Sequence, residues 1–283
     1  HELSADWVEQ RTKGLSLWMA LRRALSGSGG ARRAVSMVEA FSYPRRGYGR
    51  ISERMAEELT RLGGQIRLGT RVAGVIANGD TITGLRVDGA DGRSSVVPVD
   101  AVVSTVPLPL LVRMLEPSVP ARVRHAADRL EFRHLVTVTV FLDCPRVSDD
   151  TWVYVHDPEI PFARFHEPKN WSPEMAPAAR TSLVVEYFVD QDDAVWNRSD
   201  EDLQRLTVQH LSATLGLIVP DQVLASVVFR ARNAYPIYSL DYRETLATVK
   251  QHLAGIGNLQ LVGRGGTFRY NNTHHSIETG LLA

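Results

Sequence analysis

The chain has 283 residues, 44% hydrophobic and 23% charged, and 32 Lys plus Arg balance 32 Asp plus Glu for a formal net charge of zero. That length and composition suit a soluble globular protein with a sizeable core, and the balance excludes the basic excess of a nucleic-acid-binding surface. Cys144 is the single cysteine, which excludes an intrachain disulfide or a cysteine-rich metal site and fits a reducing compartment, so the expected location is cytoplasmic.

The opening HELSADWVEQ lacks Met and enters helix-forming sequence at once, and the closing ETGLLA stops inside such sequence. Both read as cut ends, and the expectation is a piece of a longer protein. Residues 4 to 25 space Trp7, Val8, Leu15, Leu17, Trp18, Leu21 and Leu25 at a roughly helical period until SGSGG (26 to 30) breaks it. The pairs Arg22/Arg23, Arg32/Arg33 and Arg45/Arg46 are short and flanked by apolar residues, and they read as solvated faces. Next, a helix with Ile51, Met55, Leu59 and Leu62 on one face ends at Gly63 and Gly64.

Residues 65 to 105 read as short β-strands, with NGD and DG as hairpin turns because Asn, Asp and Gly accept positive φ cheaply. AVVSTVPLPLLVRML is cut by Pro107 and Pro109 and is too short and broken to span a bilayer, so no integral membrane segment is expected. Helical sequence covers 107 to 129. Phe132, Val136, Val138, Val140 and Leu142 then share one face of a long strand. Strands follow at 151 to 155, 162 to 166 and 181 to 188, then a helix at 200 to 215, a strand at 223 to 232, a helix at 241 to 254, and a closing strand, glycine turn and helix. Antiparallel hairpins interrupted by helices predict an α+β (mixed α/β) chain.

The final segment, NLQLVGRGGTFRYNNTHHSIETGLLA, runs a strand into Gly263, Gly265 and Gly266 and then toward a helix beginning near Thr273. Such a turn lets backbone N–H groups and a positive helix end approach an anion. It departs from the dinucleotide fingerprint, because Phe268 stands where the last glycine belongs, and no GxGxxG occurs elsewhere. Read by themselves, the glycines fit equally a plain turn with a close helix contact. Arg264, Arg269, Tyr270, Asn271 and Asn272 crowd donors before the helix, which Asn272 or Thr273 would cap.

LVGRGGTFRYNNTHHSIETGLL resembles the C-terminal flavin-binding segment of the FAD-dependent amine oxidase, protoporphyrinogen oxidase and UDP-galactopyranose mutase superfamily. YPRRGYGRISERMAEEL, GGQIRLGTRVAGV, DAVVSTVPLPLL, EPKNWSPEMAPAARTSLVVEYF and NAYPIYSLDY resemble the same superfamily in the same order. The resemblance implies a partial FAD-binding Rossmann-like domain interleaved with an antiparallel-sheet substrate domain covered by helices. The expected division is 1–45 as a helical part of the substrate domain, 46–112 as partial FAD domain, 113–255 as substrate domain and 256–283 as the C-terminal FAD segment.

It further implies backbone contacts from Val72 at the adenine end of FAD and a strand ending near the cofactor at Thr105, Val106 and Pro107. Gly263, Arg264, Gly265 and Gly266 would line the pyrophosphate and ribityl side, with Asn272, Thr273, His274 and His275 beside the flavin ring. Tyr235, Tyr238 and Tyr242 would floor the substrate region, and Arg164 and Arg232 are further substrate candidates. Superfamily members often carry Met-Asp where Thr273-His274 stands, so His274 is expected to tune the charge of reduced flavin. Without a GxGxxG strand and a ribose-binding acid, FAD binding by this stretch alone is expected to be weak or absent.

The implied protein is a flavin oxidoreductase acting on a bulky small-molecule substrate. Two alternatives stand beside it: a redox-neutral mutase acting on a nucleotide sugar, and a non-catalytic remnant or substrate-binding domain. Convergence of Arg164, Arg232 and Arg243 would favour the mutase, and an apolar aromatic cleft would favour oxidation. No metal site is expected, because adjacent His274 and His275 point about 100° apart on a helix. His156 and His166 read as solvated strand edges, and Trp171, Trp196 and Phe188 as core. Oligomeric state has no signature in the chain.

Overall fold

The computed structural model describes residues 4, 6 and 42–283. The helical period over 4–25, apart from Ser4 and Asp6, and the SGSGG break lie outside the described residues, as does most of the 1–45 segment. Helix α1 (Gly49–Arg61) forms where helix formers follow Gly49, and it ends at Gly63, whose φ of 89° is cheap only for glycine. Its apolar side is open: Met55, Leu59 and Leu62 are all exposed.

Next comes an antiparallel meander, β1 (Arg71–Asn78), β2 (Thr81–Asp88) and β3 (Ser94–Pro98). Gly79 at φ 62° makes the first turn, as the NGD signal requires. Strand β4 (Val102–Ser104) leads into α2 (Leu108–Met114), two-residue β5 (Leu115–Glu116) and α3 (Ala121–Asp128). The stretch expected to be helical over 107–129 is therefore split, because Pro117 and Pro120 cannot supply interior helix N–H groups. Strand β5 pairs parallel with β1, giving the order β3-β2-β1-β5.

The larger sheet is built on β6 (Phe132–Leu142), with β7 (Val153–Tyr154), β8 (Arg164–His166) and β9 (Thr181–Val189). Helix α4 (Asp200–Gln209) precedes the long edge strand β10 (Val223–Pro236). Ser199 caps α4, accepting the Asp202 amide at 3.1 Å. The order is β10-β6-β9-β8-β7, wholly antiparallel. Helix α5 (Tyr242–Leu253), strand β11 (Leu259–Leu261), short α6 (Gly263–Thr267) and α7 (Thr273–Leu281) complete the chain, and β11 pairs parallel with β4. The mixed α/β content agrees with the expected class.

Two separate cores follow from the alternation. The first gathers Val75, Ile82, Leu108, Leu111 and Ala127 with Val249 and Leu253 of α5 and Phe268. The second gathers Val136, Val138 and Val140 of β6 and Leu183, Val185 and Tyr187 of β9 under Leu203 and Leu211. Each fully buried leucine contributes about 1.5 to 3 kcal/mol, and Leu203 of α4 and Leu211 just after it close this face of the larger sheet together with Phe162 and Trp196. The other face keeps Phe141, Val227 and Phe229 exposed.

Candidate functional site

Strands β4 and β11 run parallel and end side by side, Leu261 opposite Ser104. The turns that follow them therefore share one edge, the carboxyl edge where open parallel sheets receive ligands. The two turns touch. A Cβ on Gly266 would lie 2.5 Å from the Ser104 carbonyl oxygen, and one on Gly265 would lie 2.9 Å from that of Thr105. These glycines are there because backbone meets backbone. Gly263 is glycine for another reason, its φ of 70°. Instead of a plain turn, residues 263–267 form the short helix α6, and its end is tied to α7 by the Gly263 amide donating to Thr279 Oγ1 at 2.9 Å.

Arg264 serves this packing. Its Nε and Nη2 donate to the Asn271 carbonyl at 2.9 and 2.6 Å, and Nη1 donates to the Ala234 carbonyl at 3.0 Å. The guanidinium lies over Tyr235 and Tyr270, which stack on each other 5.3 Å apart. With these hydrogen bonds to carbonyls, Arg264 shapes the turn. Asn271 is 2% exposed and its Nδ2 has no partner among the described residues. At the α7 start the Asn272 amide donates to His275 Nδ1, and the His274 and His275 rings lie 3.9 Å apart. Burial, then the neighbouring His274 and Arg269, push the His275 pKa down. The following first-turn amides have no intrahelical acceptor. The orphan Asn271 amide and the Thr273 and His274 backbone amides at the α7 start are donors of the kind that the phosphate and carbonyl acceptors of a flavin dinucleotide take.

From Tyr235 a line of rings crosses the open face of the larger sheet. Phe188 meets Tyr235 at 5.3 Å, and Arg164 sits among Phe188, Trp152 and Tyr154. Trp152 touches Trp171 at 4.9 Å, and His166 stacks on Trp171 at 4.6 Å and 12°. Glu186, directly across from Arg164, accepts its Nη2 at 2.6 Å and lies 3.5 Å from His166 Nδ1. Burial raises the Glu186 pKa, but the nearby His166 and the Arg164 hydrogen bond outweigh it and the net shift is downward. Burial likewise works against the Arg164 charge, and Glu186 more than restores it. The expected solvated edge at His166 is instead a covered ion cluster, because register puts Glu186 beneath it.

The EPKNWSP motif explains how Trp171 is presented. Glu167 accepts the Val147 and Ser148 amides and the Thr181 hydroxyl. Lys169 Nζ reaches the carbonyls of Pro145, Pro177, Ala178 and Arg180 at 2.8 to 2.9 Å. Asn170 donates to the carbonyls of Ser148 and Asp150. The motif is a clasp on two loops. The clasp sets Trp171, half-buried, against Trp152 and His166, with its buried Nε1 unpartnered among the described residues.

Of the remaining expected residues, Val72 packs against the first core, and among the described residues β1 has no strand partner opposite β2 before Val75. Tyr238 and Tyr242 are not on the aromatic line. They stack at 4.4 Å in the first core, 1% and 8% exposed. The Tyr242 hydroxyl donates to Asp6 and its pKa is pushed up to about 12 by burial and that bond. Arg243 grips Asp6, while Arg232 lies over Trp196 in the second core, on the closed face. Arg164, Arg232 and Arg243 thus occupy three different places. Among the described residues no three His, Cys, Asp or Glu side chains gather to hold a metal, and no helix is long and apolar enough to cross a membrane. Trp152, Tyr154 and Glu186 escaped the sequence reading, since nothing local marks them.

The chain matches the flavin containing amine oxidoreductase family over residues 5–283. Reduced UDP-galactopyranose mutase shares its fold with a TM-score of 0.68 at 22% identity, over 83% of this chain and 49% of that one. A putative protoporphyrinogen oxidase from Exiguobacterium sp. 255-15 gives 0.59 at 22% identity, over 78% and 47%. Putrescine oxidase bound to putrescine gives 0.57 at 19%, over 83% and 51%. The chain spans about half the length of these solved structures, and the likeness is one of fold. No curated protein matches it.

Proposed function

Because the chain belongs to the flavin containing amine oxidoreductase family, for which FAD is the cofactor, we propose that it carries the substrate side and the C-terminal cofactor side of an enzyme that oxidises a bulky, apolar or π-rich small molecule. One observation carries this reading: a line of rings runs from Tyr235, at the Arg264 turn, to Trp171, and along it the Arg164 charge is balanced by Glu186. Bound FAD supplies hydride acceptance, and the residues around it bind, orient and dry the substrate.

In this reading the backbone of Val72 and the 105–107 turn face the cofactor, with Gly263 and the α7 start from Asn272 to His275 completing the rim. Gly265, Gly266 and Arg264 hold the turns together. Tyr235, Phe188 and Trp152 offer ring faces to substrate. A nucleotide-sugar mutase needs cationic grips for a diphosphate. Arg164 bound to Glu186, Arg243 bound to Asp6 and Arg232 stacked on Trp196 do not form such a set.

The test is anaerobic mixing of the full-length, FAD-loaded protein with apolar amines, cyclic tetrapyrrole precursors and UDP-galactopyranose. Bleaching of the flavin band by an apolar or aromatic compound is expected. Turnover of the nucleotide sugar without net bleaching would replace this reading with the mutase, and a colourless full-length protein indifferent to FAD would replace it with a non-catalytic domain.

A further inference from the structure

Strand β10 carries a large bulge. Ala231 pairs with Leu135 and Tyr235 with Arg133, so Arg232, Asn233 and Ala234 stand opposite the single residue His134. Asn233 takes a left-handed φ of 53°, a conformation that costs a non-glycine residue free energy unless something holds it. His134 is what it meets. The Asn233 amide donates to His134 Nδ1 at 3.1 Å, and the imidazole, 4% exposed, packs on Trp196 at 4.6 Å. Since Nδ1 accepts, the ring is neutral with its proton on Nε2, and that atom is buried with no partner among the described residues.

The bulge feeds directly into the candidate cofactor turn. The next carbonyl, Ala234, accepts Arg264 Nη1, and the next ring, Tyr235, lies under the same guanidinium at 4.5 Å. Arg264 in turn holds the Asn271 carbonyl just before α7. An unbulged strand would carry Ala234 and Tyr235 two positions out of place.

We propose that His134 is a positioning residue: by accepting the Asn233 amide it holds the β10 bulge that sets Arg264, and through Arg264 the turn and α7 start of the flavin site. A protonated imidazolium would face one donor with another, so the hold fails on acidification. The charges facing the ring are Arg232 on β10 and Asp190 after β9, with Arg133 of its own strand pairing Asp190. Burial, then Arg232, keep the ring neutral against the pull of Asp190.

The test uses the full-length protein and two readouts, of which only the second rests on the function proposed above. In the first, ¹⁵N NMR reports which His134 nitrogen carries the proton, and hydrogen exchange reports protection of the Asn233 amide, both without flavin. Protection is expected to fall as pH drops and Nδ1 gains its proton. In the second, FAD affinity is read by flavin fluorescence. His134→Ala is expected to weaken it about tenfold, the effect of one unsatisfied buried hydrogen bond. His134→Asn, whose Oδ1 stands where Nδ1 did, is expected within about twofold of wild type. Asn233→Gly, which takes φ 53° freely, is expected to rescue His134→Ala in part. A protected Asn233 amide with His134 protonated, or His134→Asn as damaging as His134→Ala, would overturn the proposal. Loss of FAD binding by every protein including wild type, with the exchange result intact, would fault the functional reading instead.

Discussion

The two halves of the candidate site are built in opposite ways. Where Gly265 and Gly266 meet Ser104 and Thr105, side chains are removed so that two backbones can touch; on the open sheet face, Arg164, His166, Trp152, Trp171 and Glu186 fill the space with large side chains. The first kind of site tolerates no added atom. The second tolerates changes of shape but not of charge, because buried Glu186 is paired with Arg164. The difference teaches where each half should fail.

The largest effect is expected on the side-chain half. Glu186→Gln leaves Arg164 buried without its carboxylate and should cost about 3 to 5 kcal/mol of stability, measured by urea unfolding. Arg164→Met combined with Glu186→Leu should recover most of that loss, and if it did not, packing rather than charge would govern this half. The same pair gives a pH dependence. Because the Glu186 pKa is lowered on folding, its contribution is complete above the ordinary carboxylate range near 4.3 and is lost as pH falls through the lowered value. Acid unfolding of wild type against Glu186→Gln checks that sign.

On the backbone half, Gly266→Ala puts a methyl 2.5 Å from a carbonyl oxygen and should cost about 1 to 3 kcal/mol while weakening FAD binding. Gly280→Ala, with open space around it in α7, is the control and should be neutral or slightly stabilising by thermal melting. Equal behaviour of the two glycines would break the contrast. A smaller loss, about 2 kcal/mol, is expected for Lys169→Met, which strips four carbonyls of their shared donor. The smallest belongs to Trp171→Phe. The stack on His166 remains and the lost Nε1 has no partner among the described residues, so stability should stay within about 0.5 kcal/mol, and an effect appearing only with substrate bound would place that N–H at the substrate.

Much of the backbone half was legible in the sequence, though not its physics. The glycine cluster of 263–266 announces a special backbone, yet positive φ and close approach leave the same letters. Only the contact with Ser104 and Thr105 separates Gly263 from Gly265 and Gly266. Arg264 donates to the Asn271 and Ala234 carbonyls, contacts the sequence could not show, since a basic residue's position does not say which acceptors reach it. Tyr238 and Tyr242 stand close to Tyr235 in the chain but fold into the first core, because β10 ends at Pro236 and the chain turns away from the sheet.

What the sequence determined by itself is local and periodic. The valines of β6 set which face is buried, Gly79 and Gly63 set where the chain turns, and the motif series points to the family; each is carried by neighbours within a few residues. Tertiary structure alone decided what those elements bring together. Register carries Glu186 under Arg164 and His166, the β10 bulge delivers Tyr235 to Arg264, and parallel pairing sets two turns far apart in the chain against each other. A cross-strand neighbour is chosen by pairing rather than by chain position, and moving the register by a single residue would send every one of these side chains to the other face.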